Sequence, residues 1–92
     1  MLTIKRTTRF KKDFKAAMKR GHNRALFEFV VGELAEQRPL DAKFNDHPLT
    51  GNWLGFRECH IQPDWLLIYL VNNGMLTLTL SRTGTHADLF GK

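Results

Sequence analysis

The sequence predicts an α+β domain in which an N-terminal strand and two helices precede a three-stranded antiparallel meander and a short C-terminal helical turn. Three observations carry this. Apolar residues recur at helical spacing only up to Ala35, and at strand spacing mainly after Trp53. The stretch between, 38–52, holds Pro39, Pro48 and Gly51 and has little periodicity, so it reads as a loop. Elements segregated along the chain in this way pack as helices against one face of a twisted antiparallel sheet.

Leu2 and Ile4 alternate with Thr3 and Lys5, which gives a short first strand up to Thr7. Thr7 or Thr8 caps a helix on which Phe10, Phe14 and Met18 form one apolar stripe, and Gly21 stops it. Asn23 caps a second helix with a broader stripe of Leu26, Phe27, Val30, Val31, Leu34 and Ala35, closed by Pro39. Trp53 to Ile61, Leu66 to Val71 and Met75 to Ser81 read as strands, with a hairpin turn at Asn72-Asn73-Gly74. Leu76, Leu78 and Leu80 alternate with Thr77, Thr79 and Ser81, so one sheet face covers the helices and a threonine-bearing face is left to meet a ligand. Arg82 to Phe90 turns into one helical turn, with Thr85 and Asp88 at capping-box spacing.

A chain of 92 residues, 42% hydrophobic and 11% aromatic, has room for one domain, 1–92, with a modest core. The single cysteine, Cys59, cannot form an internal disulfide, and no signal-peptide pattern or apolar run of membrane-spanning length is present. A reducing cytoplasm is the expected location. Net charge is +5, and Lys5, Arg6, Arg9, Lys11, Lys12, Lys15, Lys19 and Arg20 crowd the first twenty residues against Asp13 alone. Such a cluster attracts nucleic acid through counterion release, or an acidic protein partner.

Three of the four histidines, His47, His60 and His86, fall in or beside the sheet half. His60-Ile61-Gln62-Pro63-Asp64-Trp65 is the densest group, at a strand end where His86 can join from the C-terminal turn. Cleavage of RNA by its own 2′-hydroxyl needs a base, an acid and a cation for the phosphorane. Imidazole serves either proton role, Asp64 can orient one, and Arg82 can grip the phosphate unless it pairs with Glu58. Trp65 and Phe90 offer faces for base stacking, with a place in the core as the alternative for each. A zinc site from His47, Cys59, His60 and His86 has the right residue types. The spacing opposes it, because adjacent Cys59 and His60 point to opposite faces, and Cys59 falls on the core side, where it is no nucleophile.

Asp46-His47-Pro48-Leu49-Thr50-Gly51-Asn52-Trp53, then Arg57, His60 and Pro63-Asp64-Trp65, and finally Arg82-Thr83-Gly84-Thr85-His86-Ala87-Asp88-Leu89-Phe90 together resemble the YafQ toxins of the RelE/ParE superfamily. The resemblance implies a small microbial-RNase-like fold and metal-free, ribosome-dependent cleavage of mRNA in the A site, with no cofactor. It also implies that His47, His60, Asp64 and His86 are the acid–base set, Trp65 and Phe90 contact substrate, and Arg82 faces phosphate. Our own assignment within that set gives the 2′ proton to His60 or Asp64 and the leaving group to His86. A cognate antitoxin is implied as well, with a ribbon-helix-helix DNA-binding half and an acidic segment for which the basic first helix is a dock that must also face ribosomal RNA. Two other readings are a non-catalytic toxin of the gyrase-poisoning ParE type, which needs none of the histidines, and a plain RNA-binding domain.

Overall fold

A computed structural model describes residues 1–91. The elements are β1 (Thr3–Arg6), α1 (Thr8–Lys19), α2 (Arg24–Ala35), β2 (His47–Pro48), β3 (Arg57–Gln62), β4 (Trp65–Asn72), β5 (Thr77–Gly84) and α3 (His86–Phe90). The helices begin and end where local chemistry directs. The Thr7 hydroxyl accepts from the Phe10 amide and the Asn23 side chain from the Leu26 amide. Beyond α1, Gly21 at φ 84° donates to the Met18 carbonyl and His22 to that of Ala17, closing the carbonyl end through a left-handed residue. The same closure ends α2 at Gln37, φ 56°, so the helix stops before Pro39 is reached. Thr85 and Asp88 form the expected capping box at α3.

The sheet has the order β1-β5-β4-β3-β2, with β1 parallel to β5 and the other neighbours antiparallel. Three features depart from expectation. The 38–52 stretch is not simply loop: it carries β2, which lays His47 opposite Glu58, between two 3-10 turns. The strand expected from Trp53 starts at Arg57, because Gly51–Trp53 is one of those turns. β5 runs on to Gly84 through an irregularity at Ser81, so Tyr69 pairs with Leu80 but Ile68 with Arg82.

One sheet face packs the core, in which Phe10, Phe27, Val30 and Leu34 of the helices meet Cys59, Ile61, Trp65, Leu67, Tyr69, Leu78 and Leu80. The second face is less open than its threonines suggested. A smaller cluster of Leu66, Ile68 and Leu89, with Leu49, Trp53 and Phe56 against it, covers its middle. Thr77 is buried where β1 pairs with β5, and Ser81 and Thr83, the latter turned opposite the core residue Leu67, are buried where α1 crosses the edge of β5 that β1 leaves unpaired. There the Thr7 hydroxyl donates to the Ser81 carbonyl, and Asp13 accepts from the Thr83 amide and from Arg82. The one acidic residue among the first twenty therefore seals a strand edge. No helix among the described residues is long and apolar enough to cross a membrane.

Candidate active site

Strand parity assembles the site. On β3, Cys59 and Ile61 enter the core, which turns Glu58 and His60 to the second face, where β4 sets Ile68 opposite Glu58 and Leu66 opposite His60. β2 adds His47 beside Glu58. Its position is fixed by the preceding Asp46, which accepts from Arg57 Nε at 3.3 Å and from the Tyr69 hydroxyl on β4. Burial and that hydrogen bond to Asp46 push the Tyr69 phenol above its ordinary range, so it remains a donor.

From the other side comes α3. His86 is its first residue, so its amide has no partner within the helix and donates instead to Asp64 Oδ1 at 3.2 Å, while His86 Nδ1 meets the same oxygen at 2.9 Å. The His86 side chain and then its amide hold the Asp64 carboxyl below the usual carboxylate range. Arg20 at the end of α1 ties α3 down by donating to Asp88 at 2.7 Å, and Arg20 and the Thr85 amide lower the Asp88 carboxyl to about 2. A Cβ at Gly84 would stand 2.9 Å from Asp88 Cβ, so only glycine lets α3 fold back this closely.

The result is a row of three imidazoles, with ring centroids 6.4 Å apart for His47 and His60 and 5.6 Å for His60 and His86. Glu58 Oε1 lies 3.2 Å from His47 Nε2 and 3.4 Å from His60 Nε2. Since the other nitrogen of His47 faces the Pro48 carbonyl at 3.2 Å, the imidazolium form of that ring finds an acceptor for each N–H. The His86 ring is half-exposed, with Nε2 left for an incoming group. Beside His60 lies a groove of about 550 Å³ between Leu26, Phe44, Ile61 and Pro63, with Lys43 and Gln62 as its polar members.

The four acid–base candidates, His47, His60, Asp64 and His86, thus come together at one rim and face. Phe90, about a third exposed, follows His86 by four residues and so shares its side of α3. Arg82 binds Asp13 through Nε at 2.7 Å and Nη2 at 3.2 Å, not Glu58, so its approach to a phosphate is through the nitrogen left over. Lys5, Arg6, Arg9, Lys11, Lys12, Lys15, Lys19 and Arg20 are all exposed. Trp65 is a correction. It is fully buried, stacked on His22 at 4.7 Å and near Phe27, because β4 turns it to the helices with Leu67 and Tyr69; it has no free face for a base. Glu58 is the residue that sequence reasoning passed over, and its spacing of two from His60 on a strand was the available signal.

His47, Glu58 and His60 could also hold a metal ion, since one ligand atom from each lies within 4.8 Å of the others. Two imidazoles and a carboxylate suit zinc or copper. Cys59 takes no part, buried on the opposite face with its thiol pushed up by that burial.

Comparison with known proteins agrees with this fold. The family described as a bacterial toxin of type II toxin–antitoxin systems, YafQ, matches residues 2–91. The mRNA interferase toxin YafQ of Escherichia coli K12 is 40% identical over 89 residues, covering 96% of this chain and 95% of that one. A metal-bound toxin from Helicobacter pylori superposes with a TM-score of 0.93 at 47% identity, covering 98% of this chain and all of that one. The toxin in the E. coli DinJ–YafQ complex does so with a TM-score of 0.89 at 39% identity, over 99% and 100% of the two chains.

Proposed function

Because this chain belongs to the YafQ family of bacterial toxins of type II toxin–antitoxin systems, we propose that it is an endoribonuclease that cuts mRNA in the ribosomal A site by acid–base catalysis through the 2′-hydroxyl. The observation that carries this is the row of three imidazoles, each with a polar partner, along one rim of the sheet. Neither a toxin acting by binding alone nor a plain RNA-binding domain needs such a row.

The partners divide the labour. Asp64, held low by His86, is a poor proton acceptor at neutral pH, so the 2′ proton goes to His60, whose Nε2 faces Glu58 and whose Nδ1 carries the lone pair. As O2′ bonds to phosphorus, His47 and Arg82 stabilise the phosphorane charge. His86 stays oriented by Asp64 through Nδ1 and delivers a proton from Nε2 to the departing O5′. The products are a 2′,3′-cyclic phosphate and a 5′-hydroxyl. Phe90 and the groove beside His60 supply surface for neighbouring nucleotides, and the basic face of α1 supplies contact with ribosomal RNA. The same face is where an acidic antitoxin segment docks, which blocks ribosome binding. Action on the ribosome places the protein in the cytoplasm.

The test is cleavage of an mRNA on programmed ribosomes. The upstream fragment should end in a 2′,3′-cyclic phosphate, and a single 2′-deoxy substitution at the scissile nucleotide should abolish the cut. A cut that survives that substitution rules out the 2′-hydroxyl mechanism.

Cleavage should also survive treatment of the protein with EDTA that is removed before ribosomes are added, whereas zinc or copper should inhibit. A bound ion would act as a Lewis acid that takes the imidazole lone pairs of His47 and His60 and the Glu58 carboxylate. Micromolar Zn²⁺ is expected to slow cleavage at least about tenfold, reversibly on chelation, since occupied imidazole nitrogens cannot exchange protons. Activation by Zn²⁺ would show instead that the ion assists the reaction.

A further inference from the structure

We infer that Glu58 is a positioning residue of the ribonuclease reaction, a single buried carboxylate that fixes the ring orientation of His47 and His60 together and the tautomer of His60. This rests on the acid–base reading above and extends it to a side chain that never meets the RNA.

Among the described residues Glu58 is the only buried one that carries charge, at 4% exposure. Its neighbours across the strands are His47 on one side and Ile68 on the other, and no lysine or arginine pairs with it. A carboxylate in such a place is unfavourable unless it is hydrogen-bonded, and an apolar side chain would pack there with less penalty. The only side chains that meet it are the two imidazoles, both at Oε1. His47 Nε2 is hydrogen-bonded to it at 3.2 Å and His60 Nε2 stands 3.4 Å away, so the carboxylate favours a proton on the Nε2 of each ring. For His60 that leaves Nδ1 as the outward lone pair, the form a base needs, and turns the ring plane to the substrate side. For His47 it sets the edge of the ring that faces the phosphate. A buried carboxylate plays the same part toward the imidazole of serine hydrolases, where it holds tautomer and orientation without itself exchanging a proton.

The arrangement follows from three ordinary features of the chain. Glu58 and His60 share a face because they are two apart on a strand. His47 joins them because β2 pairs with β3 in the register that sets it opposite Glu58. Side chains of Leu66 and Ile68 on β4 lie along the same face, beside the carboxylate and His60.

The experiment compares wild type with Glu58→Ala and Glu58→Gln in single-turnover cleavage on programmed ribosomes, and records the ring-nitrogen NMR shifts of the free proteins at one pH. Glu58→Ala should lower the cleavage rate about 10²-fold, with ribosome affinity within about threefold of wild type. Glu58→Gln keeps an acceptor oxygen in place and should recover part of that loss. In wild type the His60 signals should report an Nε2–H ring, and in Glu58→Ala a mixture of tautomers. Glu58→Gln is close in shape to the native residue, so it gives both readouts even if the alanine variant unfolds. Unchanged cleavage in either variant, or ring-nitrogen shifts that stay at wild-type values in both, would overturn the inference. If wild type itself fails to cut, the ribonuclease reading falls instead, whereas the NMR result still decides whether Glu58 sets the His60 tautomer.

Discussion

Replacing His86 with alanine is expected to lower the single-turnover rate of cleavage on programmed ribosomes by about 10³-fold, or roughly 4 kcal/mol of transition-state stabilisation, while ribosome binding stays near wild type. The leaving O5′ of a nucleotide is a strong base and departs slowly unless protonated as its bond breaks. His86 is placed for that, because its Nδ1 is committed to Asp64 and Nε2 points outward. Its ring is about half exposed, so truncation removes little packing, and the Asp64 carboxylate keeps the His86 amide as a partner. Loss of rate therefore will not be loss of fold, which a denaturation curve on the same sample verifies. If the variant cuts at the wild-type rate, the acid is another group, and His47, with an acceptor at each nitrogen, is next in line. If it neither binds nor cuts, His86 belongs to the ribosome contact and the chemistry lies elsewhere.

The sequence displayed those parts of this site that depend on near neighbours. Thr7, Asn23 and the Thr85–Asp88 capping box act within one helical turn, so their hydrogen bonds were legible as spacing. Asp64 and His86 were legible as two strand ends meeting at one rim. What could not be read depends on residues far apart in the chain. β2 has two residues and no periodicity, and it exists because Asp46 is held by Arg57 and Tyr69. Without that strand nothing places His47 against Glu58, eleven residues on, and the buried carboxylate between two imidazoles stays invisible. Asp13 likewise looked like a stray charge on a basic helix until the unpaired edge of β5 gave it a purpose. The face of Trp65 was hidden for a different reason: Trp65 to Val71 is apolar at almost every position, so alternation cannot say which side meets the helices.

That ambiguity makes Trp65 the site of the largest expected effect on stability. Trp65→Ala should cost about 3–5 kcal/mol in urea denaturation, the usual loss when a large buried aromatic is cut back to a methyl group. A chain of this size has a total stability of roughly 5–15 kcal/mol, so the variant will be largely unfolded if the native value lies at the low end. The loss arises where the two helices meet the sheet, since the indole stacks on His22 from the α1–α2 connection and packs near Phe27 of α2. Trp65→Phe separates packing from any role in substrate contact. It keeps most of the apolar volume, and it removes an indole N–H that is buried with no hydrogen-bond partner, a group whose desolvation is itself unfavourable by about 1–3 kcal/mol. The two changes offset, so a net loss under about 1.5 kcal/mol is expected, with cleavage close to wild type because a ring enclosed by the core does not touch RNA. A Trp65→Phe protein that is stable yet cuts poorly would mean that the indole leaves the core when the ribosome is bound. The helices would then have to part from the sheet at Phe27, which makes the stacking on His22 the contact to monitor.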